Sequence, residues 1–125
     1  MATKVEILED AKATIQKGWC QRDSAVGEDG KVIPPWDSGA CKWCVTGALM
    51  KSIHQITGLD ISWFYNQLHQ EEMPEGIEMY DELCARIEDT VDCSPTVWND
   101  AGERTQGDVV QVLKRLIELE KGDET

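Results

Sequence analysis

Long apolar segments are missing from this sequence. No run of about 18 apolar residues occurs, so the sequence encodes no transmembrane helix. The first ten residues, MATKVEILED, do not contain the apolar core of a secretory signal, so we expect a cytoplasmic protein without a membrane partner. With 125 residues and an apolar fraction of 41%, residues 1–125 are expected to form a single folded domain.

Basic residues are nearly absent from the third quarter of the chain. The net charge is −12, and residues 59–103 contribute −11 of it, because their twelve acidic side chains are accompanied only by Arg86. Residues 1–58 hold seven acids and seven bases. A basic groove is therefore excluded as the main feature, and we expect no direct nucleic-acid binding. The acidic region suits a basic protein partner, mimicry of a nucleic acid, divalent cations or simply solubility.

A second cysteine pair with metal-ligand spacing is also missing. The five cysteines cannot all pair within one chain, and in a reducing compartment they would be buried thiols, metal ligands or reactive groups. Cys41 and Cys44 form a C-x-x-C, but a structural zinc site needs a second pair of ligands. A dithiol oxidoreductase needs a β-strand before this motif, and the preceding PPWDSGA does not suit one. We therefore predict no metal and no cofactor.

Apolar residues at helical spacing predict a mainly α-helical, compact single domain of about five helices. Thr3 with Glu6, and Thr105 with Asp108, supply capping signals for the first and last helices. Residues 18–40 hold four glycines and two prolines, so they are expected to form one long irregular loop or a short hairpin around VGEDGKVI. The predicted helices cover residues 4–17, 41–57, 61–72, 75–90 and a final segment after residue 105.

The segment Cys41–Thr57 is expected to be the central helix. Its apolar residues fall on one stripe, and Gly58 follows at the position where helices usually stop. Asp37 or Ser38 would cap the helix at its start. The two cysteines of the C-x-x-C would then lie in its first turns, where the helix dipole favours a thiolate.

Cys44 is the one weak candidate for a catalytic residue, as a thiol nucleophile at the start of that helix. A suitable base is missing. His54 lies ten residues further along the same helix, and His69 could reach the thiol only if the next helix folded back. The sequence therefore favours a non-enzymatic protein over a thiol-dependent enzyme.

The W-N-D segment near the C-terminal helix admits two interpretations. In the structural one, Trp98 fills the core, Asn99 and Asp100 bind loop backbone groups, and Arg104 pairs with Asp100. In the functional one, the loops over residues 18–40 and 93–104 meet at one end of the central helix, and their side chains converge on a pocket. The candidate pocket consists of Trp19, Cys20, Gln21, Trp43, Cys44, Trp98, Asn99, Asp100 and Arg104.

Acidic residues occupy the predicted helix over residues 75–90 outside its apolar stripe. Consecutive acids such as Asp81 and Glu82 point in different directions from a helix, so a solvated acidic face is expected rather than a cage for a divalent cation. The candidate acidic face consists of Glu75, Glu78, Asp81, Glu82, Glu88 and Asp89.

Three short motifs occur in a fixed order in the chain. They are Gly18-Trp19-Cys20-Gln21, then Trp43-Cys44 with Gly47-Ala48, then Trp98-Asn99-Asp100 with Arg104-Thr105. With these motifs, over residues of about 5–118, the chain resembles a family of small uncharacterised bacterial and phage proteins. The resemblance implies a small helical domain and, because it brings no established activity, it assigns no catalytic roles.

These features together predict a small acidic protein that acts as a non-enzymatic binding module. The expected partner is a basic site on another protein, which would be a host protein if the chain is phage-encoded. The alternative from a different class is a small-molecule-binding or thiol-dependent enzyme that uses the Trp/Cys/Asn-Asp cluster.

Overall fold

A computed structural model describes residues 3–58 and 75–123 of the chain. The predicted helix over residues 61–72 lies outside the described residues. Within them the chain folds as one mainly helical, compact domain with five helices and a two-stranded antiparallel sheet. The elements in chain order are α1 (Lys4–Lys17), β1 (Ala25–Gly27), β2 (Ala40–Trp43), α2 (Val45–Thr57), α3 (Glu75–Val91), α4 (Pro95–Asn99) and α5 (Gln106–Asp123).

Helices α1 and α5 begin at the capping signals that the sequence predicts. The backbone N–H of Glu6 donates to Thr3 Oγ1 at 3.1 Å, and that of Asp108 donates to Thr105 Oγ1 at 3.2 Å. Asp108 also returns a side-chain bond, accepting from the Thr105 N–H at 3.0 Å. The two helices pack along each other, and α1 also packs against α2. Their facing residues are fully or almost fully buried: Ile7, Leu8, Ala11, Ile15, Val109, Leu113, Leu116 and Ile117.

The predicted start of the central helix at Cys41 is wrong. Ala40–Trp43 forms strand β2, and α2 begins only at Val45. The chain is extended here because β1 pairs with β2 and Cys44 donates its N–H to Ser24 O at 3.1 Å. These partners are distant in sequence, so the local helical pattern does not reveal them. The end of α2 at Gly58, with φ of 73°, agrees with the prediction.

The predicted caps of α2 are also wrong. Asp37 accepts the N–H of Gly39 at 2.8 Å within a turn and lies outside the helix. Cys44 takes the N-cap position, and its Sγ accepts the N–H of Gly47 at 3.3 Å. The thiol thus replaces the oxygen that usually fills this role.

The segment over residues 18–40 contains the predicted tight turn. Gly27 donates its N–H to Lys31 O at 3.0 Å, Gly30 has a φ of 79°, and Val26 bridges Val32 in an antiparallel manner. The main partner of β1 is nevertheless β2, with Ala25 opposite Trp43. The expected hairpin is therefore one part of a small sheet that also recruits residues 40–43.

Helices α3 and α4 complete the fold. Helix α3 agrees with the predicted range, and its buried stripe includes Leu83 and Ile87. The segment over residues 93–104, expected to be a loop, contains the short helix α4. Ser94 caps α4 by accepting the N–H of Val97 at 3.3 Å, and Pro95 occupies its first turn, where a missing N–H costs nothing. None of the helices in the described ranges combines the length and apolar character needed to cross a bilayer.

Candidate functional site

Asn99 is the centre of the site in which the predicted pocket residues meet. Its side chain is fully buried, and its Oδ1 accepts the indole N–H of Trp19 at 2.8 Å and the N–H of Val45 at 3.0 Å. Its Nδ2 donates to Cys20 O and to Asp100 Oδ1, both at 3.1 Å. The carboxamide thus uses two acceptor and two donor positions. It joins α4, the start of α2 and the segment after α1.

The segment after α1 is attached to the end of α4 by further bonds. Gln21 donates its Nε2–H groups to Asn99 O at 3.0 Å and to Ala101 O at 2.8 Å. Arg22 donates its backbone N–H to Asp100 Oδ1 at 2.7 Å. Arg22 adopts a φ of 78°, a left-handed conformation that is uncommon for a residue with a long side chain. The aspartate bond compensates part of that conformational cost.

Trp98 and Arg104 lie together, but the predicted pair between Arg104 and Asp100 is wrong. Trp98 is 7% exposed and belongs to the core. The guanidinium of Arg104 stacks above its ring, 4.2 Å from the centroid, and Nε donates to Trp98 O at 2.9 Å. The ion pair of Arg104 is with Asp108 on α5, at 3.9 Å. Asp100 instead accepts backbone and amide N–H groups, as the structural interpretation of this segment expects.

Trp43 is held from both sides. Its backbone bridges Trp19 in a parallel manner and Ala25 in an antiparallel manner. Its indole N–H donates to Pro35 O at 2.9 Å, and the ammonium of Lys51 lies 5.4 Å from its ring centroid. The indole N–H groups of Trp19 and Trp43 are therefore both satisfied within the protein.

A small cavity of about 80 Å³ lies next to the hydrogen-bonded cluster around Asn99 and Asp100. Among the predicted pocket residues, Cys44 and Asp100 line it, whereas the tryptophans, Gln21 and Asn99 do not. Pockets that bind small organic molecules usually measure about 300–1,000 Å³, so this cavity suits at most a few water molecules. Its remaining lining residues were not predicted from the sequence: Arg22, Asp23, Ser24, Thr46 and Thr96.

The thiol of Cys44 is not activated by its position. Its Sγ lies 3.2 Å from Thr46 Oγ1 and accepts the N–H of Gly47. Burial is the largest influence and raises the pKa of Cys44, although these hydrogen bonds oppose the rise. The N–H groups at the start of α2 lower the pKa of Cys44, as expected at a helix N-terminus, but desolvation of the charged form outweighs them. His54 lies against Trp36, with ring centroids 6.0 Å apart.

Cys20, near Cys44, is affected by burial in the same way. Burial, followed by the nearby Cys44 and Asp23, raises the pKa of Cys20 to about 12. Cys41 lies on strand β2, so the C-x-x-C does not place two sulfurs on one helix face. In the described ranges, no three or more His, Cys, Asp or Glu side chains are grouped so that they could hold a metal ion.

Five of the six candidate acidic residues are exposed along α3. Glu78, Asp81, Glu82, Glu88 and Asp89 are all exposed, and Glu75 is the first residue of the helix. We call the five exposed residues the α3 acidic face. Lys4 Nζ lies 2.6 Å from Glu82 Oε2 at the edge of this face.

The small helical domain described above, with a bonded cluster at one end of α2 and an acidic helix face, belongs to a family without an assigned activity. The chain is a member of the family of unknown function DUF6197, whose sequence profile matches residues 1–119. Comparison with curated proteins and with solved structures gives no match.

Proposed function

We propose that this protein is a non-enzymatic interaction module that binds a basic site on another protein through the α3 acidic face. The motifs resemble those of bacterial and phage proteins, and if the chain is phage-encoded, the partner would be a host protein. The observation that carries the proposal is the arrangement of the exposed acids on α3. They recur at helical spacing on the side opposite the buried Leu83 and Ile87.

The α3 acidic face extends over about three turns of the helix. From Glu78 to Asp89 the helix rises about 17 Å, at about 1.5 Å per residue. Ala85 is exposed between the acidic pairs. Because its side chain is small, a partner could approach the helix closely at this point. A surface of this length offers room for several charge pairs with one basic partner.

The charge on this face lowers the stability of the free helix. Like charges three or four residues apart on a helix repel each other by about 0.2–0.5 kcal/mol per pair. Helix α1 neutralises one of these charges, since the ammonium of Lys4 lies beside the carboxylate of Glu82. Binding of a basic surface would relieve the repulsion and would also be accelerated by electrostatic steering.

The alternative of a small-molecule-binding or thiol-dependent enzyme has less support from the geometry. The cavity at Cys44 is small, and its thiol serves as the cap of α2 with a raised pKa. Trp19 and Asn99, which the functional interpretation assigned to a pocket, use their side-chain polar groups in hydrogen bonds within the protein. These residues act as structural connections between three elements.

Charge reversal provides the test. The test variant combines Asp81→Lys, Glu88→Lys and Asp89→Lys. The matched control combines Glu28→Lys, Glu103→Lys and Glu118→Lys, which are exposed acids elsewhere on the surface and give the same change in net charge. A partner is first captured on the immobilised wild-type protein and identified by mass spectrometry. The purified partner is then titrated against the wild type and both variants.

We expect the α3 variant to lose at least about tenfold in affinity, because like charges would then face each other. The affinity of the control variant should stay within about threefold of the wild-type affinity, since its altered charges lie away from the α3 acidic face and act only at long range. Binding of the wild type should weaken as salt is raised from about 0.05 to 0.5 M, which shortens the screening length. Equal affinity of both variants, or binding that ignores salt, would contradict the proposal.

A further inference from the structure

The backbone places Cys20 directly beside Cys44. Cys20 donates its N–H to Trp43 O at 3.1 Å, and Trp43 donates its N–H to Gly18 O at 3.2 Å. This is the bonding pattern of a parallel bridge, in which Trp19 is opposite Trp43. The next residues in register are Cys20 and Cys44. Neighbouring strands lie about 4.8 Å apart, and residues in register point to the same side.

Two further observations show that this segment runs close to β2 and to the start of α2. A Cβ atom built on Gly18 would lie 2.1 Å from Cys41 O, so no side chain separates the two backbones there. A few residues later the N–H of Cys44 donates to Ser24 O at 3.1 Å. The chain from Cys20 to Ser24 therefore encloses the Cys44 position. Cys44 is also close enough to influence the ionisation of the Cys20 thiol.

We propose that Cys20 and Cys44 form a reversible intramolecular disulfide by exchange with a low-molecular-weight disulfide, such as oxidised glutathione. Both thiols are free in this structure. Disulfides form when the two Cα atoms are about 4.4–6.8 Å apart, and the spacing of parallel neighbours falls within this range. The proposal concerns the end of α2, not the α3 acidic face, and is independent of the function proposed above.

The reaction proceeds in two exchanges. Cys20 is half-buried and Cys44 is buried, so the reagent meets Cys20 first. The Cys20 thiolate attacks one sulfur of oxidised glutathione, the S–S bond breaks, and one glutathione leaves with the proton that Cys20 gave up. The Cys44 thiolate then attacks Cys20 Sγ and expels the second glutathione, which takes the Cys44 proton. Two protein thiols are oxidised, and one glutathione disulfide is reduced to two thiols.

The exchange has a predictable rate and a structural consequence. Because burial raises the pKa of Cys20 to about 12, the thiolate is scarce at neutral pH and its fraction increases about tenfold per pH unit below that value. The bond would close a loop of about 25 residues and attach the segment after α1 to the start of α2. A cross-link of this length is expected to raise the midpoint of thermal unfolding by roughly 5 °C or more.

Peptide mapping tests the proposal, because trypsin places each of the five cysteines on a different peptide. The folded protein is incubated with excess oxidised glutathione at about pH 9, remaining thiols are alkylated in denaturant, and the digest is made without reductant. We expect a linked pair of peptides, Gly18–Arg22 with Trp43–Lys51, which dithiothreitol separates. Cys20→Ser should abolish this pair, and the control Cys41→Ser should retain it.

Two results would overturn the proposal. One is a link from Cys20 to any other cysteine, or a stable glutathione adduct on Cys20 while Cys44 remains free for alkylation. The other is a lower unfolding temperature in the oxidised wild type, since that would require a rearranged fold. We expect the treatment with oxidised glutathione to raise the unfolding temperature of the wild type and of Cys41→Ser. The unfolding temperature of Cys20→Ser should not rise after the same treatment.

Discussion

Asn99 Oδ1 accepts the indole N–H of Trp19 at 2.8 Å, across 80 residues of sequence. The same oxygen accepts the N–H of Val45 at the start of α2. One buried carboxamide therefore holds together the segment after α1, the beginning of α2 and the end of α4. Its removal would leave several buried groups without partners, which is costly because water cannot replace them.

Asn99→Ala should destabilise the protein by about 3 kcal/mol, because the N–H groups of Trp19 and Val45 lose their acceptor together. Urea unfolding measures the change as a lower midpoint with the same slope. Glu103→Ala, an exposed substitution nearby, serves as the control and should stay within about 0.5 kcal/mol of the wild type. An Asn99→Ala protein as stable as this control would show that the carboxamide is not the connection described here.

Local patterns were sufficient to predict helices α1, α3 and α5. In each of them the apolar residues follow the helical period, and in α1 and α5 the cap lies within three residues of the groups it binds. Such signals need no distant partner. The predicted ranges of α1 and α3 agree with the structure within one or two residues, and α5 begins directly after residue 105 as predicted.

Elements that depend on distant partners were predicted less well. The helical pattern predicts the first turn of α2 where the structure has strand β2, because the extended form of β2 is imposed by Ser24, Ala25 and Trp19. Helix α4 has five residues, too few for a recognisable period. Trp19, Gln21, Asn99 and Asp100 are joined by hydrogen bonds that depend on the packing of three elements, so the motifs alone do not reveal which groups bond. Arg104 illustrates this, since its ion pair is with Asp108 instead of Asp100.

Gly47→Ala should destabilise the protein even though alanine is the better helix former. A Cβ at Gly47 would lie 1.9 Å from Ser24 O, so the backbone around Ser24 would have to move away from α2. Overpacking of this kind costs about 1–3 kcal/mol, more than the roughly 1 kcal/mol that helix propensity gains. Gly107→Ala is the matched control in α5, because a Cβ there would lie 3.8 Å from Thr105 Oγ1, and this variant should be slightly more stable than the wild type. Thermal unfolding of the two variants should therefore shift in opposite directions.

Cys44→Ala should destabilise the protein by about 1–2 kcal/mol, because α2 loses the cap that accepts the Gly47 N–H. Cys44→Ser keeps an acceptor at the same position and should retain most of the stability. Chemical unfolding of both variants distinguishes the two effects. A Cys44→Ala protein with unchanged stability but with loss of a measurable activity would instead favour the thiol-dependent enzyme.

Cys84 should make the protein less stable in mild alkali. Burial, with a smaller contribution from Asp81, raises the pKa of the Cys84 thiol from 9.0 to about 11. The unfolded chain then binds fewer protons than the native one between these values, so the contribution is complete below about pH 9 and is lost as the pH rises towards 11.

The variant Cys84→Ser isolates this contribution, because its hydroxyl does not titrate and can still bond with Tyr80. Between pH 8 and pH 10, the free energy of unfolding of the wild type should fall by about 1 kcal/mol more than that of Cys84→Ser. Urea unfolding at both pH values measures the difference, and comparison with the variant removes the effects of Cys20 and Tyr80, which titrate in both proteins. Equal losses would mean that Cys84 is as accessible to water in the folded chain as in the unfolded one, contrary to its packing against the core.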